Sequence, residues 1–164
     1  MDYPVIPKPA LEKFKTKPNL SDYEAITRDG NWEDAMRGLD GLPGGGLNIA
    51  YESIDRHAKG PLKNKVAMIW EGRKGDIQRY TFDDMRRQSN RFANALTQLG
   101  IKKGDRVFVF LDRIPELYFA VFGTLKIGAV IGPLFSAFGP DAIHDRLADC
   151  GSESLVVPSA ENPK

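Results

Sequence analysis

The sequence has very little of what builds a metal centre, a disulfide framework or a membrane anchor. Its 164 residues include one cysteine and two histidines, whereas a metal site ordinarily needs three or four ligands. A single cysteine excludes an internal disulfide and fits a reducing compartment. The most apolar stretch, residues 117–135, is interrupted by three glycines, a lysine and a proline, so it is too broken for a membrane span. We therefore expect a soluble cytoplasmic chain that binds no metal by itself.

Neither positive nor negative charge is in excess in this sequence. The chain has 23 basic and 22 acidic residues, a net charge of +1. A protein without a basic surface has no field that gathers nucleic acid or an anionic membrane. Neither is expected as a partner.

Phosphate-binding loops of recognisable spacing are absent as well. The sequence contains no Gly-Lys-Ser/Thr, and its one glycine cluster, Gly44–Gly46, neither follows a predicted strand nor has the third glycine of a dinucleotide fingerprint. A flexible turn is the favoured interpretation of this cluster, and a phosphate cradle is the alternative. Cys150 has no base in reach on its own helix face, so a packing role is favoured over a nucleophile. His57 and His144 are interpreted as surface or packing residues.

Three regions of different character follow one another along the chain. Residues 1–20 are rich in proline and lysine without periodicity, which predicts an extended arm. Residues 21–60 predict short helices capped at Ser21, Asn31 and Asn48. Residues 61–164 predict the start of an α/β domain.

The α/β part opens with a predicted hairpin and a long amphipathic helix. Residues 65–70 and 77–80 predict the two strands. Thr81 caps the helix, which ends at Gly100. Its apolar stripe is Phe82, Met85, Phe92, Leu96 and Leu99.

From residue 106 to 157 the predicted order is strand, helix, strand, helix, strand. Residues 106–111 are nearly all apolar, which is typical of a parallel strand covered on both faces. The helix at 115–127 is apolar around most of its circumference, so we expect it to be buried. This order predicts right-handed crossovers onto one parallel sheet. The fold class is therefore α/β: a helical N-terminal segment, a β-hairpin and a partial doubly wound parallel sheet.

Two loops follow the carboxyl ends of predicted parallel strands, where open α/β sheets bind ligands. In the first, Arg113 is a candidate phosphate contact, although an ion pair with Glu116 is favoured. The second, Phe135–Pro140, contains small residues that permit close approach of a ligand. On these residues alone a purely structural loop is favoured.

The chain contains, in this order, the segments Gly46–Tyr51, Ile54–His57, Val66–Glu71, Tyr80–Phe82, Ser89–Arg91, Gly104–Arg106, Pro115–Glu116 and Gly132–Phe135. By their order and spacing they resemble the N-terminal part of acetyl-CoA synthetases, which belong to the adenylate-forming, or AMP-binding, superfamily. The resemblance runs from about Asn19 to Val157.

The resemblance implies a two-step reaction for the complete enzyme. A carboxylate attacks the α-phosphate of ATP, with Mg²⁺, and the thiol of CoA then displaces AMP. The phosphate loop, acetate pocket, adenine site and catalytic lysine would follow residue 164, so this chain would hold no catalytic residue and be inactive alone. Phe135-Ser-Ala-Phe138 stands at the place of the family's Phe-Gly-Gly-Phe turn, which implies that Phe135 and Ala137 line the pantetheine channel of CoA.

Two other interpretations stay open. One is a non-catalytic interaction module that docks with the remainder of a ligase or pairs with itself, since a truncated sheet exposes apolar area and a strand edge. The other is half of a split ligase for propionate or a longer acid.

Overall fold

The computed structural model describes Pro4, Pro7, residues 9–16, Leu20 and residues 22–159. The chain divides into two compact units, residues 1–39 and 40–164. The boundaries predicted for the arm, the helical segment and the α/β part stay predictions, and nine of the twenty residues of the predicted arm lie outside the described residues.

The described residues of the first unit form a 3-10 turn (Leu11–Lys13) and two short α-helices, α1 (Tyr23–Asp29) and α2 (Trp32–Met36), and none of the three buries a side chain. Asp22 caps α1 by accepting the N–H of Ala25 at 2.9 Å. The predicted cap, Ser21, lies outside the described residues, and the carboxylate that follows it fills the role. Asn31 caps α2 as predicted, through the N–H of Asp34 at 2.9 Å.

Asn48 begins the helical part of the second unit, as predicted. Its side-chain oxygen accepts the N–H groups of Ala50 and Tyr51 at 2.9 and 3.1 Å. Its amide nitrogen donates to the carbonyl of Leu125 at 2.7 Å, which ties this turn to a distant part of the chain. A π-helical turn (Tyr51–Asp55) and α3 (Arg56–Lys59) follow.

The predicted hairpin and long helix are confirmed: β1 (Val66–Glu71) pairs antiparallel with β2 (Ile77–Thr81), and α4 (Phe82–Gln98) follows. Thr81 and Asp84 form a reciprocal capping box at the start of α4. The hydrogen bond from the Thr81 hydroxyl is the main cause that lowers the pKa of Asp84. Leu99 belongs to the predicted apolar stripe, but it is 79% exposed because it lies just past the last turn of the helix.

The three remaining strands form one parallel sheet in the order β4–β3–β5: β3 (Arg106–Val109), β4 (Val130–Pro133) and β5 (Ser154–Val156). Between them lie α5 (Pro115–Lys126) and α6 (Pro140–Asp149). The central strand buries Val107, Phe108 and Val109, which confirms a strand covered on both faces. The predicted α/β class with a partial parallel sheet is therefore correct.

The prediction that α5 is buried holds for only one of its sides. The helix buries Pro115, Ala120, Gly123 and Thr124, whereas Tyr118 is exposed. The covered side packs closely on α4 through Gly123, where an added Cβ would lie 2.8 Å from the Ser89 carbonyl oxygen. The helix also packs on β3 and β4, and of its residues Glu116 and Tyr118 are exposed while the others are buried or half-buried.

Lys126, at the end of α5, joins three helical segments. Its Nζ donates to Asp55 Oδ1 at 2.7 Å and to Asn90 Oδ1 at 2.6 Å. The side chain is only 9% exposed. Burial lowers the pKa of Lys126, and the hydrogen bond to Asp55 opposes that shift. The ammonium group thus stays paired in the interior.

Candidate functional site

The carboxyl ends of the three parallel strands meet at one edge of the sheet. Two loops leave this edge, one after β3 and one after β4. The first residue of each loop continues the backbone hydrogen bonding of the sheet beyond the end of its strand. The N–H of Phe110 donates to the Val156 carbonyl at 2.8 Å, and the N–H of Leu134 donates to the Val109 carbonyl at 2.9 Å. The edge is where open α/β sheets place their ligands, and it contains every predicted site residue.

The loop after β4 presents an aromatic turn, Phe135–Phe138. The N–H of Phe138 donates to the carbonyl of Phe135 at 3.0 Å and closes the turn. The two rings meet edge to face, with centroids 5.9 Å apart and planes at 84°. Phe135 is 63% exposed and Ala137 is also exposed. Both residues predicted to line the channel are thus available to a ligand.

The serine and alanine of this turn do not strain its backbone. Neither Ser136 nor Ala137 has a positive φ, so both stand where any L-residue is allowed. The turn therefore needs no glycine for its own conformation. Compared with two glycines, the side chains of Ser136 and Ala137 occupy space above the turn.

Arg113 lies in the loop after β3 and is exposed. Its carbonyl accepts the indole N–H of Trp70 at 2.7 Å, which fixes the loop to the hairpin. None of the ion pairs found in residues 22–159 joins Arg113 to Glu116, so the favoured pairing does not form. Its role as a phosphate contact stays a prediction.

A cavity of about 610 Å³ opens beside the same edge. Its apolar lining is Phe92, Leu111, Ile114, Phe119, Val156 and Val157. Arg91, Asp112 and Glu116 add charged groups, while Arg113 is not among the lining residues. The volume lies within the range of small-molecule pockets, and most of the lining is apolar. Sequence reasoning missed this cavity, because its walls come from elements far apart in the chain.

Most of the residues for which a structural role was favoured over a catalytic or binding role lie as expected. Gly44–Gly46 form a turn at φ of +92°, +97° and +87°, closed by the N–H of Leu42 donating to Gly46 at 2.9 Å. His57 packs on Phe82, with ring centroids 5.0 Å apart. Cys150 was expected to pack, but it is exposed because it caps the end of α6.

In the part of the chain that the structure describes, no three His, Cys, Asp or Glu side chains are gathered as metal ligands. None of its helices has the length and apolar character needed to cross a membrane.

Comparison with known proteins identifies the family. Residues 54–164 match the family of AMP-binding enzymes. The chain belongs to this family. It is 46% identical over 149 residues to the acetyl-coenzyme A synthetase of Bacillus subtilis (strain 168), covering 90% of this chain and 26% of that protein. It is 38% identical over 133 residues to the 3-hydroxypropionyl-coenzyme A synthetase of Metallosphaera sedula, covering 79% of this chain and 20% of that protein.

A solved structure extends the match to the fold. The crystal structure of Brucella canis acyl-CoA synthetase superposes with a TM-score of 0.75 at 35% identity, over 81% of this chain and 24% of that one. The chain thus spans about a quarter or less of the length of these relatives, and the part it matches is N-terminal.

Proposed function

We propose that this chain is the N-terminal part of an acetate–CoA ligase, which converts acetate, ATP and CoA into acetyl-CoA, AMP and pyrophosphate. Within that enzyme it supplies scaffold and one wall of the channel for CoA, in a reducing cytoplasm. The observation that carries the proposal is the exposed aromatic turn Phe135–Phe138 at the carboxyl edge of the parallel sheet, in a chain 46% identical to an acetyl-coenzyme A synthetase.

The turn has the chemistry that a pantetheine arm needs. Pantetheine is a slender, uncharged chain with two amide groups and a terminal thiol. The exposed Phe135 ring offers it an apolar surface, and the short side chain of Ala137 lets it approach the backbone. Ser136 adds a hydroxyl that can exchange hydrogen bonds with an amide.

The proposal places the binding of Mg²⁺ and ATP in the remainder of the ligase. Stabilising charge on a reacting phosphate needs a metal ion and several donors aimed at one point. The carboxylates near the edge, Asp112 and Glu116, are not part of a metal-ligand cluster. We therefore assign the adenylation step to the remainder of the ligase and expect the chain alone to be inactive.

Acetate-dependent release of pyrophosphate tests this assignment. The chain, supplied with acetate, Mg²⁺, ATP and CoA, should release no more pyrophosphate than a reaction without acetate. Robust acetate-dependent turnover would contradict the proposal.

Binding tests the proposed wall. In a titration with pantetheine followed by NMR, Phe135→Ala should weaken binding because it removes the exposed ring. Phe14→Ala is the matched control, since Phe14 is an exposed phenylalanine of the first unit. Equal affinities for the two variants would remove Phe135 from the site.

The remainder of the ligase is the proposed partner for the open edge of β5. Among the described strands β5 pairs only with β3. Leu155 and Val157 are exposed, and Val157 also lines the cavity. In doubly wound sheets of this order the next strand is added next to β5. Self-association through the same surface is the alternative, and sedimentation at high concentration distinguishes them. A concentration-dependent dimer would favour the alternative, whereas a monomer would favour the proposal.

The acid used by the complete enzyme is proposed to be acetate. The relatives at 43–46% identity are acetyl-coenzyme A synthetases, whereas the 3-hydroxypropionyl-coenzyme A synthetases are at 37–38%. A ligase for another acid is the second candidate. Comparing acetate with 3-hydroxypropionate as substrates of the complete ligase decides between them.

A further inference from the structure

The aromatic turn after β4 has little packing of its own to hold its rings. Phe135 projects into solvent, and its ring meets only the edge of Phe138 among the ring contacts of the described residues. A surface aromatic side chain loses rotamer freedom when it is fixed in one position, and one ring contact offsets little of that loss. A stable wall therefore needs a further contact.

That contact comes from α6. The guanidinium carbon of Arg146 lies 4.1 Å from the centroid of the Phe138 ring, well inside the range of a cation–π interaction. Its Nη1 donates to the carbonyl of Ala142 at 2.8 Å, which holds the side chain along the helix. Phe138 thus contacts both groups: Phe135 meets it edge to face, and the guanidinium of Arg146 lies over its ring.

Arg146 is not engaged by a carboxylate in this position. Its neighbour Asp145 approaches His144 at 3.6 Å. The ion pairs of residues 22–159 do not include Arg146, so its charge is directed at the ring and the helix carbonyl.

We propose that Arg146 is a positioning residue that fixes Phe138, and through it Phe135, as the wall of the pantetheine channel. What the wall binds rests on the proposed function, whereas the bracing of the rings does not. Arg146 acts through Phe138 and need not touch the bound molecule.

Comparing the binding of two ligands distinguishes positioning of the rings by Arg146 from a direct contact between Arg146 and the ligand. Pantetheine is uncharged, and CoA carries phosphate groups as well as the same arm. If Arg146 acts through the rings, its loss weakens both ligands by the same factor. If it binds a phosphate, its loss weakens CoA alone. An exposed arginine–aromatic contact corresponds to a change of roughly two- to fivefold in an equilibrium.

The experiment is an NMR titration of the isotopically labelled chain with pantetheine and, separately, with CoA. In the free protein the side-chain protons of Arg146 should be shifted upfield by the Phe138 ring, and Phe138→Leu should abolish that shift. Arg146→Gln should change the ring signals of both phenylalanines and weaken both ligands about two- to fivefold. Arg146→Lys should fall between, because it keeps the charge but loses the flat guanidinium face.

Arg79→Gln is the control, since Arg79 is an exposed arginine on β2. It should leave the ring signals and both affinities unchanged. Unchanged ring signals in Arg146→Gln, or weaker binding of CoA with pantetheine unaffected, would overturn the proposal. If the wild-type chain binds neither ligand, the proposed channel fails, and the ring signals of the free variants still decide whether Arg146 positions the turn.

Discussion

β3 and α5 are neighbours in the chain and are both apolar, yet they differ sharply in burial. Val107 and Val109 of β3 are wholly buried, whereas α5 is covered on one side and exposes Tyr118 on the other. The strand lies between two neighbouring strands, whereas the helix packs on α4, β3 and β4 and keeps residues such as Tyr118 in solvent. The difference teaches that an apolar sequence alone does not fix how far an element is buried, because burial depends on which elements pack against each of its sides.

The largest effect is expected at the covered end of α5. Lys126→Met should lower the free energy of unfolding by about 3 kcal/mol, because it leaves the largely buried Asp55 without its cation. Chemical denaturation measures the loss. The double variant Asp55→Asn, Lys126→Met should recover part of it, and a single-variant cost below about 1 kcal/mol would show that the pair does not hold the helices together.

The next largest effect is expected at a buried strand position, and an exposed strand position serves as its comparison. Val109→Ala should cost about 2 kcal/mol, from two buried methyl groups and the space they leave. Val130→Ala on β4, where the side chain is 53% exposed, should cost less than about 0.5 kcal/mol. Equal costs in denaturant unfolding would mean that the cover of β3 and β4 does not differ as described.

A smaller effect is expected where α5 meets α4. Gly123→Ala should cost about 1–2 kcal/mol, because its methyl group would crowd Ser89 and Phe92, partly offset by better helix propensity. Gly60→Ala is the matched control, since its Cβ would meet nothing closer than 3.7 Å. Thermal melting of the two variants gives the comparison, and a stabilised Gly123→Ala would show that the helices are not in close contact.

The smallest effect concerns the cap of α4. Thr81→Ala should cost about 1 kcal/mol at neutral pH. The folded-state pKa of Asp84 lies below its unfolded value of about 3.8, so its contribution is complete above that value and is lost as the pH falls through the folded pKa. Melting between pH 7 and pH 2 should therefore show a shallower acid-side loss in Thr81→Ala than in the wild type. Parallel curves would contradict the capping box.

Most of the fold could be predicted because the signals are local. The cap at Thr81, the glycine exit at Gly100 and the apolar run of β3 each report on a few neighbouring residues. The burial of α5 could not be predicted in this way, since it depends on which elements pack over it. The exposure of Leu99 could not be predicted for a related reason: an apolar stripe identifies one face of a helix but not the residue at which the helix ends.

The candidate site was predictable only in part. The position of Phe135 and Ala137 after a parallel strand follows from the strand order and the resemblance. The exposure of Cys150 and the absence of the Arg113–Glu116 pair depend on side-chain directions that spacing does not fix. The stack of Arg146 on Phe138 and the network of Lys126 join separate elements, and no sequence pattern pointed to either.

The central claim is that this chain provides a wall for CoA while the adenylation machinery lies in the rest of the ligase. The most direct test is a backbone amide NMR titration of the chain with CoA and, separately, with Mg²⁺ and ATP. The account predicts that CoA shifts the signals of residues 134–138 and that Mg²⁺ with ATP shifts none of them. Tight binding of ATP to the chain alone, or a CoA response that leaves Phe135 to Phe138 unchanged, would contradict it.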